Sequence, residues 1–330
     1  MLVLNRADVE AVLDRDALTD AVSAALAETS AGRASIPPRV AAEVDAGLLL
    51  AMPGSLARLG GLGAKLVSVF PGNVDRPTHR AVIVLFDSST GAPTALVDGT
   101  LITAARTAAA SAVATRYLAR ADSEVMAILG TGVQAHAHAL AVPRVCPALR
   151  EIKIAGREPD RNPIVARELA DELRRAGMAG ISVTGVPTFA DALADADIVC
   201  ATTPATEPIV RREWLSAGVH VNSVGFSNGR EVDAQTVLDA LVVVESRASA
   251  LAPPPAGAAE LLWPIRDGLM EPTHVYAELG ELVSETRPGR TSAEQITLYK
   301  GVGVAVEDLA AAMLVVTAAR ERGIGTTVDV

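Results

Sequence analysis

One stretch limits this chain more than any other: Glu124-Val-Met-Ala-Ile-Leu-Gly130-Thr-Gly132-Val-Gln-Ala135. An apolar run without alternation that stops at glycine predicts a parallel strand buried on both faces. Helical patterning follows from Ala135 to Val142, until Pro143 interrupts it. Strand, Gly-x-Gly-x-x-Ala, helix is the dinucleotide fingerprint in its proper context. Gly130 permits a tight turn, Gly132 lets backbone approach a pyrophosphate, and Ala135 is small enough for helix to pack on strand. Thr131, Val133 and Gln134 complete the turn, and the helix N-terminus offers its free N–H groups to phosphate. The same short pattern also occurs as a plain glycine turn, so its framing by strand and helix carries the reading.

The rhythm of the chain divides around this stretch. Val9, Val12 and Leu13, then Leu18, Val22, Ala25 and Leu26, share helical spacing up to Gly32. After Pro37-Pro38-Arg39 come strand-like segments: Gly47 to Pro53, Gly63 to Phe70, Ala81 to Asp87 and Pro93 to Asp98. A long alanine-rich helix spans Ile102 to Arg120. From Val125 onward, strands near Ile152–Ala155, Ile181–Val183, Asp197–Ala201, Val219–Val224 and Ala240–Glu245 alternate with helical segments. That alternation predicts an α/β fold, a Rossmann-type doubly wound parallel sheet. The last apolar helix, Val306 to Arg322, is expected to return to the first domain. The expected division is residues 1–115 with 306–330 as a second α/β domain for substrate binding and dimerisation, and 116–305 as the dinucleotide-binding domain. Pro253-Pro254-Pro255 is expected in a surface loop.

Cofactor choice is argued from the end of the second nucleotide-domain strand, where NAD enzymes place an acid against the ribose hydroxyls. Here it reads Lys153-Ile-Ala-Gly156-Arg157-Glu158-Pro-Asp-Arg161. Glycine and arginine stand where an acid is expected, and Arg157 and Arg161 can neutralise a 2′-phosphate. NADP is therefore expected, with NAD possible through Glu158. Thr202, Thr203 and Pro204 after one strand, and Val224 and Gly225 after the next, are expected to line the cofactor crevice, because ligands of open α/β sheets gather at the carboxyl ends of strands. Thr107 joins this cofactor-binding set.

Three cations of the first domain look out of place. Lys65 alternates with Val67 and Val69 and so shares a strand face with apolar residues, which is costly unless an anion meets it there. Arg106 lies near the start of an alanine-built helix, where the dipole disfavours positive charge. Arg39 follows two prolines that fix its backbone. Each has an ordinary counterpart, namely a snorkelling lysine, a surface arginine and a loop arginine. Together they can grip a substrate carboxylate, which guanidinium groups bind with paired hydrogen bonds.

Composition closes other routes. A formal charge of −10 argues against nucleic acid, which asks for a basic face. No stretch approaches about eighteen uncharged apolar residues, so no membrane span is expected, and a soluble cytoplasmic protein is. Cys146 and Cys200 show neither disulfide nor metal spacing. His79, His136, His138, His220 and His274 have no ligand spacing either, so no metal is expected.

These residues resemble the ornithine cyclodeaminase and μ-crystallin family over nearly the whole chain. The resemblance rests on Pro-Pro-Arg39, Gly-Ala-Lys65-Leu-Val-Ser-Val-Phe-Pro-Gly-Asn73, Leu-Ile-Thr103-Ala-Ala-Arg106-Thr107, the Gly130–Ala135 turn and Ile296-Thr-Leu-Tyr-Lys300-Gly-Val-Gly-Val-Ala-Val-Glu-Asp308. It implies a homodimer joined through first-domain strands and the last helix. It implies also that Arg39, Lys65 and Arg106 hold the carboxylate of an amino or imino acid, with Lys65 a candidate for the proton. One departure bears on the reaction. Cyclodeaminases and some related alanine dehydrogenases carry an aspartate near the substrate amine, after the strand equivalent to Val219–Val224. Here the segment reads Gly225-Phe-Ser-Asn228-Gly-Arg230-Glu231-Val-Asp233, shorter and without an aspartate at its start. Ring closure of ornithine needs that carboxylate. The expectation is therefore NAD(P)H-dependent reduction of a cyclic α-imino acid, as in ketimine reductases. The alternatives are ornithine cyclodeaminase, an alanine-type dehydrogenase, or a non-catalytic NADP-binding protein, and Glu231 or Asp233 stands as a substitute for the lost aspartate.

Overall fold

A computed structural model describes residues 1–225, 229–253 and 256–329. The chain opens with β1 (Leu2–Leu4), α1 (Arg6–Val12), α2 (Arg15–Ser30) and β2 (Ala34–Ser35), followed by β3 (Val40–Val44), β4 (Gly47–Leu56), β5 (Gly61–Val69), β6 (His79–Phe86), β7 (Pro93–Asp98) and α3 (Gly99–Leu118). The first helical stretch is two helices, because Leu13 turns extended and Asp14 caps the next helix through the N–H groups of Asp16 and Ala17.

The alternating half begins with β8 (Val125–Leu129), α4 (Val133–Ala141), β9 (Glu151–Ala155), α5 (Asn162–Arg175), β10 (Ser182–Gly185), α6 (Phe189–Leu193) and β11 (Ile198–Ala201). It continues through β12 (His220–Ser223), α7 (Ala234–Asp239), β13 (Leu241–Val244), α8 (Arg247–Ala250), α9 (Ala259–Arg266), β14 (Val275–Glu278), α10 (Leu279–Val283) and β15 (Thr297–Lys300). The chain closes with α11 (Ala305–Arg322) and β16 (Thr326–Thr327).

Two compact units result, residues 1–106 with 303–330 and residues 107–302. The divisions fall nearer the N-terminus than 115 and 305, since α3 runs unbroken through Arg106 and Thr107. In the first unit a mixed sheet runs β16-β1-β7-β6-β5-β4-β2, with β3 on the free side of β4. Helix α11 lies on this sheet because glycines clear its path. A Cβ at Gly54 would lie 2.9 Å from the Ala305 methyl, one at Gly63 2.9 Å from Leu309, and one at Gly61 2.9 Å from Met313 Sδ. Residues 305, 309 and 313 recur every four positions, so one stripe of the helix rests on β4 and β5. The other face of the sheet leaves apolar residues exposed. Val40, Ala51, Leu66 and Val82 sit side by side across four strands, opposite to Lys65.

The second unit holds a parallel sheet of order β10-β9-β8-β11-β12-β15-β13-β14. Strand order reverses between β8 and β11, the switch point at which such sheets bind ligands. Strands β14 and β15, Val-Tyr-Ala-Glu and Thr-Leu-Tyr-Lys, mix polar with apolar residues, so the apolar pattern does not announce them. The β8 residues Met126 to Leu129 are fully buried, as a run without alternation requires. No described helix is long and apolar enough to cross a membrane. Pro254 and Pro255 of the proline loop, and Phe226 to Asn228 of the short segment, lie outside the described residues.

Candidate active site

In the first unit the three cations cluster around acids. Lys65 is 3% exposed, and its Nζ lies 2.8 Å from Asp308 Oδ2 and 3.0 Å from Oδ1. Arg106 donates from Nε to Asp308 Oδ1 at 2.8 Å and from Nη1 to Glu307 Oε2 at 2.6 Å. Arg39, half-buried, donates from Nη2 to the Gly303 carbonyl at 3.0 Å. Gly303 adopts φ +73°, and a Cβ there would lie 2.7 Å from Arg106 Nη2, so glycine alone lets the two arginines share this turn. Both acids are fully buried in the first turn of α11, where negative charge suits the helix dipole. Burial pushes the Lys65 ammonium from 10.5 down to about 8, with Arg106 and Arg39 adding to the fall and Asp308 opposing it. Three cations and two carboxylates thus meet within one small region, a setting in which charge-assisted hydrogen bonds can hold a further carboxylate.

Glu307 and Asp308 escaped sequence reasoning as site residues. Two acids opening a helix read as ordinary dipole partners; the signal was their position inside a stretch otherwise apolar. Arg106 lies in the second turn of α3, and its charge is met by these acids.

In the second unit the glycine turn has the required shape. Gly130 adopts φ +117°, and a Cβ there would lie 2.7 Å from Thr202 Oγ1. Thr202 in turn donates from N and Oγ1 to the Leu129 carbonyl, at 2.9 and 2.8 Å. Over Gly132, the N-cap of α4, a Cβ would have no atom of the described residues within 4 Å. That is the open approach a pyrophosphate needs at a helix N-terminus, where the Ala135 N–H closes the turn onto the Gly132 carbonyl at 3.0 Å. Val133 is exposed, Thr131 half-buried, and the buried Gln134 Oε1 has no hydrogen-bond partner. Ala135 is fully buried against the sheet. These residues fit a dinucleotide. Arg157 and Arg161 stand exposed after β9, as does Glu158. Gly156 sits closely under Thr131, whose Cγ2 a Cβ there would approach to 2.7 Å. Thr107 follows Arg106 in α3 and is half-buried.

Neither proposed substitute for the lost aspartate is available. Asp233 caps α7, accepting from Thr236 N at 2.9 Å, and also accepts from Arg212 N at 3.1 Å. Glu231 is 1% exposed, and its oxygens take hydrogen bonds from Thr203 N, Thr203 Oγ1, Ser223 Oγ and Gly225 N. Val224 donates its N–H to Ala201, and Pro204 follows Thr203 out of the strand end. Among the described residues no His, Cys, Asp and Glu group can hold a metal ion. Cys146 and Cys200 are free thiols, pushed up by burial to about 11 and about 12.

Known proteins resemble this chain along its whole length. A Δ1-pyrroline-2-carboxylate reductase of Bacillus cereus is 32% identical over 336 residues, covering all of both chains. The structure of Thermococcus litoralis Δ1-pyrroline-2-carboxylate reductase, in complex with NADH and L-proline, superposes with a TM-score of 0.93 at 37% identity, covering 99% of this chain and 100% of that one. An archaeal alanine dehydrogenase dimer with bound NAD superposes at 0.90 and 31% identity, over 100% and 99% of the two chains. The family model for ornithine cyclodeaminase and mu-crystallin matches residues 1–323, and the chain belongs to that family.

Proposed function

We propose that this protein is an NAD(P)H-dependent reductase of cyclic α-imino acids, of the 1-pyrroline-2-carboxylate type. The observation that carries this reading is the convergence of Arg39, Lys65 and Arg106 around the Gly303 turn and the acids Glu307 and Asp308. It suits the single carboxylate of an imino acid, held by charge-assisted hydrogen bonds. The nicotinamide nucleotide, when bound at the Gly130–Ala135 turn, supplies the hydride. Reduction adds that hydride to the imine carbon and a proton to the ring nitrogen, giving a cyclic amino acid and the oxidised cofactor. Lys65 is the candidate proton donor, because a lysine held near 8 gives up its proton far more readily than an exposed one. Arg39 and Arg106 keep the carboxylate during the transfer.

Ornithine cyclisation is disfavoured by the occupation of Glu231 and Asp233, which leaves no carboxylate in the described part of the short segment to steady a second amine. An alanine-type dehydrogenase is the second reading, supported by the whole-chain likeness to the archaeal enzyme.

For the cofactor we favour NADPH, although the solved relatives hold NADH and NAD. Support comes from Arg157 and Arg161 exposed after β9 and from glycine and arginine standing at 156 and 157, where an acid would meet the ribose. Free thiols and a reduced nucleotide suit the reducing cytoplasm. A homodimer is the assembly the exposed row Val40, Ala51, Leu66 and Val82 supports.

The test follows nicotinamide absorbance with 1-pyrroline-2-carboxylate, its six-membered homologue, L-alanine plus oxidised cofactor, and L-ornithine plus NAD⁺. Imine-dependent oxidation of NADPH, faster than of NADH, is expected. Ammonia and proline from ornithine would replace this reading with cyclodeamination, and preferential turnover of alanine would replace it with the second reading.

A further inference from the structure

Lys300 and the carboxylate of Glu231 have no part in the chemistry above, yet both are buried near the carboxyl ends of the central strands. The loop leaving β11 and the loop leaving β12 diverge from adjacent parallel strands, and each carries expected cofactor contacts. Glu231 spans them. Its Oε1 accepts from Thr203 N at 2.7 Å and Thr203 Oγ1 at 2.9 Å, while Oε2 accepts from Ser223 Oγ and Gly225 N, both at 3.0 Å. One carboxylate therefore fixes two backbone N–H groups on two loops. Space leaves no alternative, because a Cβ at Gly225 would strike the Thr203 carbonyl and Glu231 Oε2. Lys300 reinforces the knot, donating to the Gly225 carbonyl at 2.8 Å and to Ser223 Oγ at 3.2 Å, and pairing with Glu260 at 3.3 Å. Glu260 also accepts from the Glu231 N–H at 3.1 Å. Burying two acids and a lysine is costly, and plain packing is achieved more cheaply by apolar residues. The cost goes with a defined geometry of the two loops.

We infer that Glu231 is a positioning residue for the nicotinamide nucleotide, setting the spacing of the Thr203 and Gly225 loops against the cofactor. This rests on the functional reading above. Burial raises the Glu231 carboxyl while Lys300 and the Thr203 donors oppose the rise, in keeping with a group held by donors from several sides.

Glu231→Gln keeps the shape but turns an NH₂ toward a backbone donor. Nucleotide affinity, read by fluorescence titration without imine, should fall about tenfold, since hydrogen bonds to a charged group are lost. Amide exchange at Thr203 and Gly225 should quicken, while Val199 and Val221 in the strands stay protected. With saturating cofactor, KM for the imine should stay unchanged, because the carboxylate grip lies elsewhere. Thr203→Val, which deletes one donor and leaves the acid in place, should weaken nucleotide binding by a smaller factor, and it serves where the glutamine variant does not fold. Unchanged nucleotide affinity in a folded variant, or a rise confined to the imine KM, overturns the inference while the reductase reading stands. A wild-type chain that binds neither nucleotide defeats both.

Discussion

Lys65 is the residue on which the proposed chemistry turns, and its environment makes a prediction about pH. Buried beside Arg39 and Arg106, it titrates near 8 rather than 10.5. Desolvation is the largest cause, and Asp308 limits the fall through its charge and hydrogen bond. Below about pH 8 the ammonium completes the grip on a carboxylate; above it the lysine is neutral and that part of the grip is lost. The free enzyme's kcat/KM for the imino acid should therefore be level up to about pH 8 and fall above it, by about tenfold per pH unit while one proton governs. Binding the carboxylate favours the charged lysine, so kcat should begin its fall at higher pH. A profile of kcat/KM that stays level from about pH 7 to about pH 10 would remove Lys65 from the site. Sequence alternation was enough to mark this lysine as facing inward. It could not show what met the charge, because Asp308 lies 243 positions away along the chain.

Helix α11 brings that partner into place, and it can do so only because the strands beneath it lack side chains. Gly54, Gly61 and Gly63 let the stripe of Ala305, Leu309 and Met313 approach β4 and β5 closely. Asp308 is thereby lowered onto Lys65 and Arg106, and Glu307 onto Arg106. Gly63→Ala would set a methyl against Leu309 Cδ2 and the Val84 carbonyl. The expected result is a loss of about 1–3 kcal/mol in stability, as overpacking costs, together with a higher KM for the imino acid. Thermal unfolding and steady-state kinetics measure the two effects. Gly72→Ala is the control, since a Cβ there meets nothing. If the Gly63 variant matched that control in both measurements, close helix approach would not be what positions the acids. The last helix was legible as an apolar element that had to dock somewhere. The glycines of β4 and β5 carry no pattern that names their partner, so the fit between helix and sheet was not.

For the whole molecule, the unpartnered sheet face of the first unit decides the expected assembly. Val40 is 64% exposed and Val82 40%, with Leu66 and Ala51 between them. Contiguous apolar surface of this kind is characteristic of subunit contacts. Light scattering should return about twice the chain mass of 34.0 kDa, and Val82→Asp should shift it toward the monomer without unfolding it. A wild-type monomer at micromolar concentration would leave that face without its expected occupant. The apolar run before Gly130 and the alternation after it were determined by sequence alone, because each is a local matter of periodicity or turn geometry; Arg39, Lys65 and Arg106 it could only mark as charges out of place. Tertiary structure decided the pairing of those cations with Glu307 and Asp308. It also decided the role of Glu231, a carboxylate that sequence spacing offered to the substrate and that folding commits to Thr203, Ser223 and Gly225. The physical reason is common to both: a buried charge is expensive alone, and which partner offsets it is settled by the elements that folding brings together, not by neighbours along the chain.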